Sequence, residues 1–428
     1  MKTAYINGII LDGTLDMTPQ TGKVIIVQDK KIVAIEDADK ADISGAKVID
    51  LNNSYIMPGL INLHAHLPGT GKPSKKPMNL ELICKLITSC ELGNRIGCNM
   101  VAANVKNALM AGVTTIRSVG GISNYDARVR DDIKKGKRVG PRILTSNTAI
   151  SVPGGHMAGT FAYAAGSREE AVKLVEKIAE SKADFIKLMI TGGVMDSDEV
   201  GIPGAQLMPD DYIKAACDRA HELGLIVAAH CEGPAGIKAA LKNGVDTIEH
   251  GAKPDEGMVE LFKSTSASQI VTLTPALPYA ERFEGMFNLS EAAVHNSAIV
   301  VEGMIELAKK NNEQGTRVGL GTDSSCSYAT QYGVWRELGY YAKYCNVSNS
   351  FALHTGTLVN ARIAGIDDIT GSIETGKMAD MIVTDKNPLE DIRALDDVRM
   401  VIFEGTLYDN PEVNKYPEVD GPMNALLD

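Results

Sequence analysis

Residues 57–66 read Met57-Pro-Gly-Leu-Ile-Asn-Leu-His64-Ala-His66. An apolar run that ends in two histidines one residue apart has the period of a strand, so His64 and His66 point to the same side. Each imidazole carries polar nitrogens that need partners, which makes the pair costly in a core. Two rings side by side at a strand end can chelate a metal. The rest of the chain supplies further ligands in an order that fits a barrel.

Before Pro58 the pattern is of short strands and tight turns, as in Ala4-Tyr-Ile-Asn-Gly-Ile-Ile-Leu11 and Lys23-Val-Ile-Ile-Val-Gln-Asp29. After Pro58, short apolar strands alternate with helical segments, the signature of βα units and a parallel sheet. Eight strands are predicted, at 60–66, 113–119, 142–146, 184–190, 225–230, 245–250, 269–274 and 317–323. Most are near-continuous apolar runs, as buried parallel strands should be. Between them lie helical segments such as 167–180, where Ser167 and Glu170 form a capping box. Eight such units predict an α/β fold, a closed TIM-like (β/α)8 barrel over residues 58–365. Strand patterns return after about residue 370, at 371–385 and 398–405. One small β-sandwich domain built from both termini, 1–57 and 366–428, is expected to flank the barrel. The stretch from Asp409 carries prolines and acidic charge and is expected to be a loose tail.

The chain has 428 residues, of which 44% are hydrophobic and 23% charged, ordinary values for a globular protein. Its net charge of −11 argues against nucleic acid and anionic membranes as partners. No apolar stretch has the roughly 20 residues of a membrane span. The N-terminus shows no apolar signal region, so the cytoplasm is the expected location. Seven cysteines without a CxxC pair suggest neither a disulfide framework nor a thiolate zinc site.

In a barrel the active face lies at the C-terminal ends of the strands. Four of the eight histidines meet that test. His64 and His66 end strand one, His230 ends strand five, and His250 ends strand six. Asp323 ends strand eight in Gly319-Leu-Gly-Thr-Asp323. Singly, a strand histidine is more often a hydrogen-bonded core residue, and such an aspartate often only caps a helix. Together they point to a metal site. Lys187, inside Phe185-Ile-Lys-Leu-Met-Ile190, should be buried. A desolvated amine has a lowered pKa and can take up carbon dioxide as a carbamate, an anionic ligand able to bridge two metals. Its bland alternative is a lysine whose ammonium reaches water.

Substrate contacts are less defined. His156, in a glycine-rich loop after strand three, could bind a carboxylate or carbonyl oxygen or be an ordinary loop residue. The loop after strand seven offers Tyr279 and Arg282, the latter suited to a carboxylate. His221 falls in a helix among charged neighbours and is expected to face solvent, and His295 and His354 fall in helical segments and read as structural.

These residues resemble the amidohydrolase superfamily. The resemblance is carried by Pro58-Gly-Leu-Ile-Asn-Leu-His64-Ala-His66, Lys187, His230, Thr247-Ile-Glu-His250-Gly, Gly321-Thr-Asp323 and Gly371-Ser-Ile-Glu-Thr-Gly-Lys-Met-Ala-Asp380. Within it the pattern is similar to the imidazolonepropionase-related, prolidase-like branch, which includes Xaa-Pro dipeptidases and arginine carboxypeptidases. The resemblance implies two divalent metal ions, usually zinc. His64, His66 and Asp323 would hold one, His230 and His250 the other, with N6-carboxylated Lys187 and a hydroxide between them. Hydrolysis of an amide or dipeptide-type C–N bond in a small-molecule substrate follows, with Asp323 as the proton carrier. A homo-oligomer is expected.

One departure stands out. Peptidase members of this branch carry an aromatic residue, often Tyr, two positions after the strand-five histidine, and here that residue is Glu232. It could repel an anionic substrate end, bind a cationic one, or hydrogen-bond behind a ligand. A mononuclear deaminase or ring-opening hydrolase of a nitrogen heterocycle is the alternative enzyme, but a buried Lys187 would then lack purpose. A metal-free scaffold is the alternative outside enzymes, yet such relatives lose ligands and here all six are present.

Overall fold

The computed structural model describes residues 2–74, 79–281, 283 and 290–428. All eight predicted strands form. They are β1 (Leu60–Ala65), β2 (Val113–Ser118), β3 (Arg142–Thr145), β4 (Ile186–Met189), β5 (Val227–Cys231), β6 (Thr247–His250), β7 (Ser268–Val271) and β8 (Val318–Leu320). Every one is fully buried except at two positions of β3, which is why they read as continuous apolar runs.

The strands pair in parallel in chain order. β1, β2 and β3 form one sheet. β4 to β8 form a second, extended at its β4 edge by two short strands that the sequence did not reveal, Ala149–Ser151 and Ala162–Ala164. Backbone hydrogen bonds link the sheets at both edges. Asp184 N–H donates to Thr145 O at 2.7 Å, and Thr322 N–H and Asp323 N–H both donate to His64 O, at 3.0 and 2.8 Å. Helices cover the outside, and their apolar faces meet the strands in large buried clusters.

The chain ends build two mixed sheets. One holds Lys31–Asp37, Lys23–Gln28, Lys2–Ile6 and Lys47–Asp50; the other holds Thr406–Asp409, Val398–Phe403, Met381–Thr384, Tyr55–Pro58 and Ile9–Ile10. The second sheet mixes strands from both ends of the chain, and one core joins Tyr5 and Ile25 to Ile56, Met381 and Ile402. No helix among the described residues is long and apolar enough to cross a membrane.

Two expectations are corrected. The stretch after strand seven is not a loop: it continues as a helix, Leu273–Ala280, despite Pro275 and Pro278. The C-terminal stretch is not a loose tail either. It ends in a helix, Pro417–Ala425, that opens on Pro417, as a first helical turn allows. Val419 and Met423, four residues apart, are fully buried, and each such side chain contributes about 1.5–3 kcal/mol. The Arg336 guanidinium, 2% exposed, pairs with Asp420 and donates to Asn424 Oδ1 at 2.6 Å. Tyr332 OH also donates to Asp420, at 3.1 Å. Asp420→Ala leaves that buried guanidinium half-partnered. We expect a loss of about 2–4 kcal/mol in denaturant unfolding; a loss below about 1 kcal/mol would make the helix dispensable to the fold.

Candidate metal centre

Period two places Lys187, His230 and Glu249 on one face of the second sheet, because Met189 pairs with His230 and His230 with Glu249. His250 has the opposite parity, since it pairs with Cys231. Its backbone adopts a left-handed φ of 70°, which breaks the strand and redirects the ring. The His250 ring then lies 4.8 Å from that of His64 and 4.7 Å from that of His230, centroid to centroid. Asp323, just past β8, takes a left-handed φ of 48°. Its Oδ1 lies 3.4 Å from His64 Nε2 and 3.3 Å from His66 Nε2.

The hydrogen bonds behind the rings fix which nitrogens face inward. His64 Nδ1 meets Glu249 Oε2 at 2.7 Å, and His66 Nδ1 meets Gly120 O at 2.6 Å. Both partners only accept, so Nδ1 carries the proton and, in the neutral ring, Nε2 presents a lone pair. His230 Nε2 meets Gly192 O at 3.3 Å, which leaves Nδ1 as its lone-pair atom. His250 Nδ1 is engaged by Thr272 Oγ1 at 2.6 Å, so its Nε2 is the free nitrogen. Two lone pairs therefore face the Asp323 carboxylate with no proton between them. Asp323 Oδ1 and Lys187 Nζ are buried without a hydrogen-bond partner. Acceptors arranged against one another in this way fit a cation. Two groups of donors lie within 4.8 Å of one another: His64, His250 and Asp323, and His230, Glu232 and His250.

Electrostatics agree with this arrangement. Burial pushes the Lys187 amine down to about 8. Burial also holds His230 and His250 well below the usual histidine range. Burial opposes ionisation of Asp323; in the metal-free site His64 and His66, where they carry a proton toward it, overcome that cost and hold the carboxyl well below the usual carboxylate range. Glu249 is likewise kept ionised against burial by Arg117 and Lys187.

The substrate candidates have mixed outcomes. His156 stacks on His230 at 4.2 Å, and its Nδ1 meets Asp196 Oδ2 at 2.5 Å. Glu232 faces the site, and its Oε2 accepts the Val194 N–H at 2.8 Å. Burial, with Asp323 nearby, raises the Glu232 carboxyl to about 8. Tyr279 lies on the helix after β7, where burial raises its phenol to about 12, with Cys326 and Asp323 as lesser causes. Arg282 lies outside the described residues. His221 is exposed and meets Asp246 at 2.9 Å. His354 is buried on Gly13 O, away from the centre.

Several partners were not evident from sequence. Arg117 holds Glu249 through Nη2 at 2.7 Å, Thr247 through Nη1 at 3.1 Å and Leu63 O through Nε at 2.6 Å. Phe161 stacks on the His66 ring at 5.6 Å. Glu249, adjacent to His250 in the quoted Thr-Ile-Glu-His segment, was the one detectable signal.

A family profile for the amidohydrolase family matches residues 55–408. The chain belongs to that family and is a hydrolase acting on carbon–nitrogen bonds. It is similar to ochratoxinase from Aspergillus niger, 26% identical over 450 residues, covering 97% of this chain and 88% of that protein. Among solved structures it is similar to one described as a candidate prolidase from Bifidobacterium longum. That match has a TM-score of 0.87 and 32% identity, covering 100% of this chain and 98% of the other. A Xaa-Pro dipeptidase with bound methionine in its active site matches at TM-score 0.83 and 26% identity, covering 96% and 100%.

Proposed function

We propose that the chain is a binuclear, zinc-dependent amidohydrolase that cleaves the amide bond of a small N-acyl amino acid or dipeptide. The observation that carries this reading is the convergence of His64 Nε2 and His66 Nε2 on Asp323 Oδ1, at 3.4 and 3.3 Å, with that oxygen and the Lys187 amine both buried and without a hydrogen-bond partner. His64, His66 and Asp323 hold the first cation; His230 and His250 hold the second. Lys187, as its neutral amine, would add to carbon dioxide and release a proton, giving a carbamate whose oxygens would serve as further ligands. The two sheets close as one eight-stranded barrel over residues 58–365, and residues 1–57 and 366–428 form a composite β-sandwich.

When bound, the two cations supply Lewis acidity, making an adjacent water acidic near neutral pH and polarising the scissile carbonyl. Asp323 accepts the proton of the attacking water and returns it to the departing nitrogen. The Glu249 carboxylate, itself held by Arg117 and Thr247, fixes the tautomer of His64. Asp196 likewise engages Nδ1 of His156 and orients that ring beside His230. Tyr279 keeps its proton and so acts as a hydrogen-bond donor to substrate.

Chelator-stripped protein is expected to lose hydrolysis across a panel of N-acyl amino acids and dipeptides. About two equivalents of Zn²⁺ per chain should restore it. Turnover that survives complete metal removal, or a zinc-loaded protein inert toward the whole panel, would defeat the assignment.

A further inference from the structure

Glu232 occupies a place where nothing in the mechanism above requires a carboxylate. It lies just beyond β5, two residues after His230, and so shares that residue's side of the sheet. One donor atom each from His230, Glu232 and His250 falls within 4.8 Å of the others. One nitrogen of each ring is already engaged, by Gly192 O and by Thr272 Oγ1, which leaves the other nitrogen of each for a cation. Glu232 Oε2 accepts the Val194 N–H at 2.8 Å, which anchors the side chain. A carboxylate has about four lone-pair sites, so one amide leaves ample capacity for a cation, whose binding would displace any proton the buried carboxyl holds.

We propose that Glu232 is a third protein ligand to the cation held by His230 and His250. The proposal rests on the two-cation reading. Two imidazole nitrogens and a carboxylate oxygen form a ligand set common to zinc. With it, the second cation has three ligands from the chain before any lysine is carboxylated. The anchored loop residue Val194 becomes an outer partner of the same ion, fixing the carboxylate as hydrogen-bonded ligands usually are.

The test uses full-length zinc-loaded protein. Glu232→Gln keeps an oxygen for the Val194 N–H but removes the charge. Chelator competition should show second-cation affinity lowered by about 100-fold or more, the upper range for losing an outer partner. The visible spectrum of the cobalt-substituted protein should change with it, while the first cation is retained. A smaller loss with an unchanged cobalt spectrum overturns the proposal. So does unchanged metal content with a raised KM for cationic substrates, which would make Glu232 a substrate contact. Independently of any variant, anomalous diffraction from zinc-loaded crystals should place a Glu232 oxygen about 2.0–2.2 Å from the second ion; a separation beyond about 3 Å overturns it. Wild-type protein that saturates with a single cation instead overturns the two-cation reading beneath it.

Discussion

Replacing Lys187 by alanine is expected to lower the metal content and reduce turnover by about 100- to 1,000-fold or more, the scale of losing one preorganised electrostatic element. The fold should survive. Lys187 Nζ is buried without a hydrogen-bond partner, so its removal leaves no native contact of that atom unpaired. What disappears is the bridge. The site of His64, His66 and Asp323 keeps its ligands, and the second cation is left to the groups on β5 and β6. Short carboxylic acids, which can enter the vacated space, should restore part of both metal and turnover. In the wild-type protein, isotope-labelled bicarbonate should give a carbamate resonance that the variant lacks. A variant with full metal and full turnover would remove the bridge from the mechanism.

Asp323→Asn should lower kcat by about 100- to 10,000-fold, the range for removing a positioned proton carrier, with little change in melting temperature. Asparagine keeps an oxygen at the same place and tolerates the left-handed backbone there. It lacks the negative charge that a cation at this site would be held by. The first cation should therefore be held more weakly yet remain measurable. Zinc titration alongside single-turnover kinetics separates weaker binding from lost proton transfer. Normal turnover at saturating zinc would assign the proton to another group.

The candidate centre was legible because its proposed ligands lie at or just beyond strand ends. His64, His66 and His230 follow the period of two, so their side of the sheet could be read directly. Lys187 was legible as a charge in a run too apolar to be exposed. The supporting groups were not, because a strand buried on both faces does not tell which side looks inward. Arg117 and Glu249 sit in such strands, and only coordinates bring them together. The helix at Pro417–Ala425 was obscured by its prolines and acidic residues, although Val419 and Met423 carry the spacing of one helix face. The helix after β7 was obscured likewise, since Pro275 and Pro278 read as breakers. Glu337 offsets this by accepting the Leu273 and Thr274 N–H groups at 2.7 and 2.8 Å.

The left-handed corners at His250 and Asp323 bear on how descendants of this sequence should be judged. Histidine, aspartate and asparagine enter that conformation more readily than other side chains bearing a Cβ. Torsional preference alone thus favours keeping His and Asp at both corners, even in a chain that has abandoned catalysis. Lys187 and Glu232 stand on ordinary negative-φ backbone, where many residue types fit equally well. Their retention or loss, more than that of the corner residues, is what would separate a working hydrolase from a retired one.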